Sequence, residues 1–328
     1  MRTMPTFFAL GFLSLVAVPV AAQQPARAEA YPSRPVKVIV PYAPGAAADV
    51  IGRLVAQKMS ELSGGQFYVE NLPGAGGSIG TGNAARAAAD GYTLLLMNQD
   101  FVVQPAVKSK IPYDPFKSFT PVSLVAAAPE VISVSPSVPV TGMKELIALL
   151  RSNPGKYSYA SPGYGTSPHV ACERLFKLTY GLDIIHVPFQ GGGPAVMATI
   201  SGQTQILHIT LPLVAAHIKE GTLRGLAVAD KRRSDMLPDV PTLEEAGIPR
   251  HEVGYWTGVL TPTGTPDNVV QLLNRLIIKI MALPDVRERL AVLGFRQIAS
   301  TREDFAAHLK AEAAEWTRVV RDAGIKSD

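Results

Sequence analysis

The chain has 328 residues, a formal net charge of +4 and 47% hydrophobic residues. This length is sufficient for two ordinary domains, and the high apolar content excludes an intrinsically disordered chain. Apart from the run at 231–233, the basic residues are scattered singly, which excludes the clustered cationic surface that nucleic-acid binding needs.

The first thirty residues have the pattern of a secretory signal peptide. Arg2 precedes a short apolar run, Phe7–Val20, and small residues suited to cleavage follow between positions 22 and 30. At about 14 residues the run is shorter than the ~20 residues of a membrane-spanning helix. The only cysteine, Cys172, lies far from this region, so it cannot carry a lipid anchor there, and its apolar neighbours indicate a buried, inert thiol. We therefore predict a signal peptide over 1–30, export to the periplasm and a mature form that is not inserted in the membrane.

From Val36 onward, predicted strands alternate with predicted helices. A buried strand at Val36–Val40 is followed by a Gly/Pro loop and by a helix that ends at Gly64. The unit then repeats, with a strand at Gln66–Glu70, a glycine loop and a helix at Ser78–Ala88. This alternation predicts a parallel sheet that is covered by helices on both faces.

The alternation begins again after a Pro-rich stretch at Tyr113–Pro121. It includes a strand at Val131–Val134, a helix at Pro168–Tyr180 and a strand at Gln205–Thr210. These elements predict a second lobe built like the first.

The closing segment is mostly helical. Thr301 and Asp304 form a capping-box-like start to a last helix, whose apolar stripe needs a lobe to pack on. The first lobe has only three predicted strands, so we expect the chain to return to it. The predicted fold is α/β with two lobes, each a mostly parallel sheet flanked by helices. Lobe 1 is 31–129 plus 253–328, and lobe 2 is 130–252.

Four glycine-containing loops each follow a predicted strand and precede a predicted helix. In open α/β sheets ligands lie beyond the carboxyl ends of the strands, where helix N-termini present free N–H groups with partial positive charge. Glycine lets such N–H groups approach an anion closely. Two loops in each lobe therefore predict a carboxylate clamp, although any one of them taken singly is equally explained as a tight turn. The loops are Pro41–Asp49, Pro73–Ser78, Ser161–Ser167 and Pro188–Pro194.

Enzyme and metal signatures are missing from the sequence. Gly74–Gly80 fails the dinucleotide-binding spacing because Ile79 stands where glycine is needed, and no P-loop occurs. The Ser167 segment has His169 in place of the second glycine of a nucleophile elbow. No two histidines have the spacing of a helix-borne metal couple. We therefore expect no catalysis, no cofactor and no metal.

Several side chains beside the glycine loops are candidates for contacting a ligand. His169 stands just inside a helix and either touches the ligand or makes a local hydrogen bond. Four aromatic residues either wall the cleft or serve ordinary packing: Tyr42, Phe101, Tyr164 and Phe189.

A family resemblance rests on segments that match in order along the chain. These are Pro41–Gly45 with Asp49, Glu70–Gly80, Asp90–Leu95, Phe119–Leu124, His186–Phe189, Leu237–Thr242 and Ala323–Lys326. In them the chain resembles the periplasmic substrate-binding proteins of tripartite tricarboxylate transporters, the Bug-type receptors, and the likeness covers Tyr31–Asp328.

The resemblance implies a monomeric Venus-flytrap protein that binds a small carboxylate between its lobes. In the family the first strand–helix loop and the glycine loop of the second lobe hold the carboxylate through backbone N–H groups and waters. Carried over by position, the implied binding residues are Tyr42, Ala43, Gly45, Ala46, Ala47, Ala48, Asp49, Ser161, Gly163, Tyr164, Gly165 and Thr166, and Gly76 and Ser78 of the Pro73–Ser78 loop add to the first wall. His169 and Phe189, beside the glycine loops, and Thr210, at the end of a predicted strand, complete the predicted set of ligand-binding residues.

Two departures from the family pattern bear on the ligand. Many relatives have glycine and threonine where this chain has Ala46 and Ala48, so a hydroxyl is lost while the N–H groups remain. Relatives often carry an aspartate where this chain has Ile209, which favours a plain organic acid over an ammonium-bearing ligand.

The predicted function is therefore that of a receptor. It captures a di- or tricarboxylate or an aromatic acid and delivers it to the two-component membrane permease of the transporter. A ligand-sensing protein that docks on a signalling partner is the alternative.

Overall fold

The computed structural model describes residues 31–249 and 254–325, together with Met1. The rest of the predicted signal peptide lies outside the described residues. From Tyr31 onward the chain forms one compact unit.

The strands of the described residues form one continuous sheet. The order along it is β2-β1-β3-β9-β4-β7-β5-β6, with β8 and β10 paired to β4. The strands are β1 (Val36–Val40), β2 (Phe67–Asn71), β3 (Thr93–Asn98), β4 (Phe119–Val134), β5 (Ser158–Ser161), β6 (Ile185–Pro188), β7 (Ile206–Thr210), β8 (Arg224–Ala229), β9 (Gly254–Pro262) and β10 (Arg296–Gln297).

Helices cover both faces of this sheet. They are α1 (Ala47–Ser63), α2 (Ser78–Ala85), α3 (Asp100–Val107), α4 (Met143–Ser152), α5 (Ser167–Cys172), α6 (Gly192–Ile200), α7 (Ala215–Lys219), α8 (Asp267–Ala282), α9 (Pro284–Val292) and α10 (Arg302–Asp322). A π-helical turn, Glu173–Thr179, continues α5, and short 3₁₀ turns at Ala75–Gly77 and Leu211–Leu213 precede α2 and α7.

The outer strands are parallel and the central ones are antiparallel. β1 pairs in parallel with β2 and β3, and β5 pairs in parallel with β6 and β7. β9 runs antiparallel to both β3 and β4, and β4 runs antiparallel to β7 and β8. The architecture is thus the expected α/β fold with flanking helices, built on a mixed sheet.

The long strand β4 joins the two ends of the sheet. Its residues 119–129 pair with β9, and its residues 130–134 pair with β7 and β8. We call the region around β2, β1, β3, β9 and residues 119–129 the first half, and the region around β5–β8 and residues 130–134 the second half. The assignment of lobe 1 to 31–129 plus 253–328 and of lobe 2 to 130–252 remains a prediction.

Each half has an apolar core on both faces of its sheet. In the first half, one core joins α1 and α8 to β1, and the other joins α3 and α10 to β3 and β9. The apolar stripe of α10, which includes Phe305, Leu309 and Trp316, is buried there. The second half has its own two cores around β7. The buried Val170 and Ala171 of α5 belong to the α3/α10 core, so α5 packs on the first half.

Two elements differ from the sequence prediction because proline obscured them. The helix α3 contains Pro105, and proline inside a periodic segment argues against a helix. The strand β4 contains Pro121 and Pro129, which mark its first part as a loop in the sequence. In the structure the register of β4 against β9 shifts between Pro121 and Ser123, so the strand accommodates the first proline at an irregularity.

Candidate ligand-binding site

A cavity of about 550 Å³ lies between loops of the first half and loops of the second half. This volume is in the range of small-molecule sites. The first half contributes 41–48, 73–77 and 98–100, and the second half contributes 162, 166–168, 190–194, 209, 210 and 213. Glu130 of β4 and Tyr255 of β9 complete the lining from the central strands.

The N-terminus of α1 opens into this cavity without a side-chain cap. The N-cap residue is Ala46, whose side chain has no hydrogen-bonding atom, so the first N–H groups of the helix, at Ala47 and Ala48, have no intrahelical acceptor. The preceding Gly45 has a φ of +83°, a left-handed conformation that glycine adopts without strain. The sequence therefore leaves two donors and the positive end of a 17-residue helix at the cavity wall.

Asp49 lies outside the cavity lining and holds this loop in place through hydrogen bonds. Its Oδ2 accepts hydrogen bonds from the Gly45 N–H at 2.8 Å and from Arg53 Nε at 3.0 Å, and its Oδ1 accepts one from Asn71 Nδ2 at 2.8 Å. Burial alone would raise the pKa of Asp49, but the hydrogen bonds from Arg53, Gly45 and Asn71 more than offset it and hold the pKa below its usual value. Asp49 is thus an ionised group that fixes the loop.

The N-terminus of α6 faces the cavity from the second half. Its N-cap is Gly191, with a φ of +117°, and no side chain caps the helix. The N–H groups of Gly192 and Gly193 therefore have no intrahelical acceptor, while Pro194 has no N–H to satisfy. The two open helix starts, one from each half, are the strongest anion-binding elements of the site.

The N-terminus of α5, by contrast, is occupied by the protein itself. The Ser167 N–H donates to Asp100 Oδ1 at 2.7 Å, across the two halves. The Gly165 N–H donates to His169 Nδ1 at 3.1 Å, and the Gly163 N–H donates to Ser161 Oγ at 3.2 Å. The amides of this glycine loop that the sequence pattern assigned to the ligand are therefore already hydrogen-bonded.

A group of polar side chains lines the cavity beside Asp100. The Tyr42 hydroxyl lies 2.5 Å from Asn98 Oδ1 and 3.2 Å from Asp100 Oδ2, and Gln99 Nε2 donates to Glu130 Oε1 at 3.3 Å. Burial raises the pKa of Asp100 to about 6, although hydrogen bonds from Ser167 and Tyr42 act in the opposite direction. Burial, with Asp100 and Glu312 nearby, raises the pKa of Glu130 well above its usual value.

The structure brings part of the predicted set to the cavity. The residues found in the lining are Tyr42, Ala43, Gly45, Ala46, Ala47, Ala48, Gly76, Thr166 and Thr210. The remaining predicted residues are not in the lining: Asp49, Ser78, Ser161, Gly163, Tyr164, Gly165, His169 and Phe189. Phe101 is also remote from it, because its ring packs against Tyr113 and Phe119 in the core.

His169 belongs to a stacked group of rings behind the α5 loop. It stacks on His186 with ring centroids 4.0 Å apart, and Tyr164 lies 4.8 Å from it. Burial lowers the pKa of His169 to about 4 and that of His186 to about 3, so both rings are neutral near pH 7. The local hydrogen bond that was the alternative for His169 is the one observed, with Gly165.

Ser161 and His186 form a pair with the geometry of a nucleophile and a base. Ser161 Oγ lies 2.7 Å from His186 Nε2. Ser161 is 0% exposed and is not in the cavity lining, and a histidine whose burial lowers its pKa to about 3 is a poor base. This arrangement is that of a buried structural contact. Cys172 is likewise buried, and burial raises the pKa of its thiol, as the sequence indicated.

Several lining residues escaped the sequence analysis. The segment Asn98–Asp100 joins the last residue of β3 to the first residue of α3. A strand end in an α/β sheet is a usual place for ligand contacts, but no glycine marks this one. Gln190–Pro194 was recognised as a loop, and only its neighbour Phe189 was chosen. Glu130 and Tyr255 lie on strands whose positions in the sheet could not be foreseen.

Among the residues that the structure describes, no helix has the length and apolar character needed to cross a membrane. Groups of three or more potential metal-binding side chains are likewise missing from that part of the chain.

Comparison with known proteins gives consistent matches over nearly the whole chain. The family model described as "Tripartite tricarboxylate transporter family receptor" matches residues 51–325. Protein BugT of Bordetella pertussis is 35% identical over 304 residues, which are 92% of this chain and 93% of that protein.

Two solved structures of similar proteins contain carboxylates. Rpa4515 of R. palustris with adipate is 32% identical with a TM-score of 0.85, covering 90% of this chain and 98% of that one. MatC from Rhodopseudomonas palustris with bound malate is 32% identical with a TM-score of 0.82, and the match covers 88% of this chain and 100% of that one. The resemblance that the motifs indicated is thereby confirmed, and the chain belongs to the tripartite tricarboxylate transporter receptor (TctC) family of periplasmic solute-binding proteins.

Proposed function

We propose that this protein is a periplasmic receptor that captures a small organic carboxylate between two lobes and hands it to the membrane permease of a tripartite tricarboxylate transporter. The observation that carries the proposal is the cavity of about 550 Å³ with the uncapped N-termini of α1 and α6 in its wall. Similar proteins of the family hold adipate and malate, which supports a carboxylate as the ligand class.

The proposed binding mode uses backbone donors. A ligand carboxylate between the starts of α1 and α6 receives N–H groups from Ala47 and Ala48 on one side and from Gly192 and Gly193 on the other. Both helix dipoles favour negative charge at that point. Because the two donors belong to different halves, the ligand gains both sets only when the halves are together, so it stabilises the closed arrangement.

The protein is proposed to bind its ligand without chemical change. The serine–histidine pair described above, Ser161–His186, is not part of the cavity lining, which supports binding without catalysis. Export through the predicted signal peptide at 1–30 and release to the permease are part of the same proposal.

A proline substitution tests the backbone-donor mode. Ala47 is the first helical residue of α1, a position that proline tolerates, and Ala46 before it is extended with ψ 157°, as a residue before proline must be. Ala47→Pro therefore removes one N–H and keeps the helix. A hydrogen bond to a charged group contributes about 1.5–3 kcal/mol, so we expect the Kd for a bound carboxylate to rise roughly 10- to 100-fold.

The measurement is titration calorimetry with the acid that gives the largest thermal stabilisation in a screen of mono-, di- and tricarboxylates and aromatic acids. Ala47→Gly, which retains the N–H, is the matched control and should bind nearly as the wild type does. Equal affinity in Ala47→Pro and Ala47→Gly would exclude the Ala47 N–H as a donor to the ligand.

A further inference from the structure

Helix α3 contacts the glycine loop of the second half along one of its faces. Asp100, Gln104 and Val107 lie on this face at helical spacing. The Ser167 N–H donates to Asp100 Oδ1 at 2.7 Å, and Gln104 Nε2 donates to the Gly165 carbonyl oxygen at 3.0 Å. A Cβ on Gly165 would lie 3.1 Å from Val107 Cγ1, so the backbone of the loop packs directly against α3. Protein groups alone therefore join the two halves at this point.

Gln104 also packs against the glycine loop of the first half. It is 0% exposed, and a Cβ on Gly76, a lining residue, would collide with its Nε2. Lys108, which directly follows α3, donates from Nζ to the Ala75 carbonyl oxygen at 2.7 Å. The end of α3 therefore holds the glycine loops of both halves, and Gln104 contacts both of them without being in the cavity lining.

A second contact joins α5 to the first half. Val170 and Ala171 are 0% and 1% exposed in the core that they share with α3 and α10, and moving the halves apart there would bring them into water. Further along the chain, Arg174 Nη1 pairs with Glu315 Oε1 of α10 at 3.0 Å. Glu315 Oε2 pairs with Arg318 of α10 at 2.6 Å. Glu315 thus takes part in one ion pair across the halves and in one within a single helix.

These contacts favour the closed arrangement of the halves whatever the cavity holds. The apparent affinity of a receptor for its ligand is proportional to the fraction of molecules in the arrangement that can bind. Contacts that the protein makes by itself therefore reduce the part of closure that ligand binding has to drive.

We propose that α3, α5 and α10 form a latch that keeps the receptor mostly closed before a ligand binds, with Gln104 as its positioning residue. The latch consists of Asp100, Gln104, Val107 and Glu315 of the first half and Gly165, Ser167, Val170, Ala171 and Arg174 of the second. The inference rests on the proposed function and deepens it, because closure then has two sources. The latch aligns the glycine loop of the second half, and the ligand carboxylate joins the starts of α1 and α6.

Distances between two spin labels measure closure directly. Gln57→Cys on α1 and Met197→Cys on α6 place the labels at exposed positions of the two halves, and the native Cys172 is buried. Pulsed electron spin resonance would be recorded without any acid and with whichever of malate, adipate, citrate and benzoate gives the largest thermal stabilisation. We expect the main distance without acid to be the one seen with it. A protein that without acid shows mainly a longer distance would overturn the latch.

Arg174→Glu and Arg318→Glu are matched variants that test the ion pair. Both make the same change beside Glu315, but the Arg174 pair crosses the halves and the Arg318 pair lies within α10. We expect the ratio of open to closed protein without acid to rise about three- to ten-fold in Arg174→Glu and to stay unchanged in Arg318→Glu. Adding Glu315→Arg to Arg174→Glu should restore the closed population. Equal distance distributions in the two single variants would contradict the latch.

Gln104→Met tests the positioning residue, because it removes the amide donor and nearly keeps the volume of the side chain. Since Gln104 is outside the cavity lining, the Kd of the acid should rise by the same factor by which the closed fraction falls. A weaker affinity with an unchanged closed fraction, or no change in either quantity in a folded variant, would overturn this role of Gln104.

The latch and the proposed function fail separately in these experiments. If none of the four acids binds, the carboxylate receptor is contradicted, whereas a distance without acid that matches the label separation in the structure still supports the latch. If an acid binds and the protein is open without it, the receptor stands and the latch is excluded.

Discussion

At the scale of single residues, the site depends on which backbone donors remain open. The sequence indicates correctly that glycine loops precede helices, because Gly and Pro have strong local preferences. It cannot indicate that Asp100, 67 positions before Ser167, accepts a hydrogen bond from the Ser167 N–H at the start of α5. Such a contact depends on how two distant segments pack, and neither segment carries a local signal of it. The α1 loop therefore keeps open donors at the cavity, whereas the α5-loop amides of Gly163, Gly165 and Ser167 have protein acceptors, a difference that the sequence does not show.

The raised pKa of Asp100 predicts a measurable dependence of stability on pH. Between pH 7.5 and pH 5 the folded protein takes up a proton at Asp100, whose pKa is about 6, while the unfolded chain does so only near its ordinary pKa of about 3.9. As the pH falls from 7.5 to 5, the unfolding free energy of the wild type should therefore rise by about 1.4 kcal/mol relative to that of Asp100→Asn. The facing titratable groups, Tyr42, Lys108, Tyr113, Glu130 and Tyr255, are common to both proteins.

Urea unfolding of both proteins at the two pH values measures this difference. Parallel pH dependence in wild type and Asp100→Asn would show that Asp100 is already ionised below pH 5 in the folded state.

At the scale of elements, the close packing of α10 on β9 holds the first half together. Gly258 of β9 pairs with Met97 and Leu124 in the sheet, and a Cβ at this position would lie 2.2 Å from the buried ring of Phe305. The sequence predicted the apolar stripe of α10 from its spacing and its capping box from Thr301 and Asp304, and the Asp304 N–H indeed donates to Thr301 Oγ1 at 3.0 Å. It did not indicate the partner strand, because β9 has no distinctive local pattern.

Gly258→Ala tests this packing. The buried Phe305 ring has to move, and overpacking of this kind costs about 1–3 kcal/mol of unfolding free energy. Gly254→Ala on the same strand is the matched control, since no atom lies within 4 Å of its added Cβ, and it should change the stability by less than about 0.5 kcal/mol. Thermal or urea unfolding measures both, and equal stability of the two variants would contradict the account of α10 docking.

At the scale of the whole molecule, β4 and β9 connect two halves whose loops face one cavity. The sequence predicts the α/β class and the alternation of strands and helices because hydrophobic periodicity is local. Prolines within the continuous strand Phe119–Val134 and within the helix α3 prevent both elements from being predicted from the sequence. The helix α3 contacts the second half through Asp100 and Gln104. The parts that bring the halves together are thus the least visible in the sequence, although they determine which donors a ligand can reach.

The central claim is that a ligand carboxylate binds to the open amides of α1 and α6. A crystal structure of the protein with the acid that gives the largest thermal stabilisation in the screen tests it most directly. We expect carboxylate oxygens within hydrogen-bonding distance of N–H groups at Ala47 or Ala48 and at Gly192 or Gly193, with Asp100 still bound to Ser167. A carboxylate on the Ser167 amide in place of Asp100, or a ligand outside the cavity, would contradict the account.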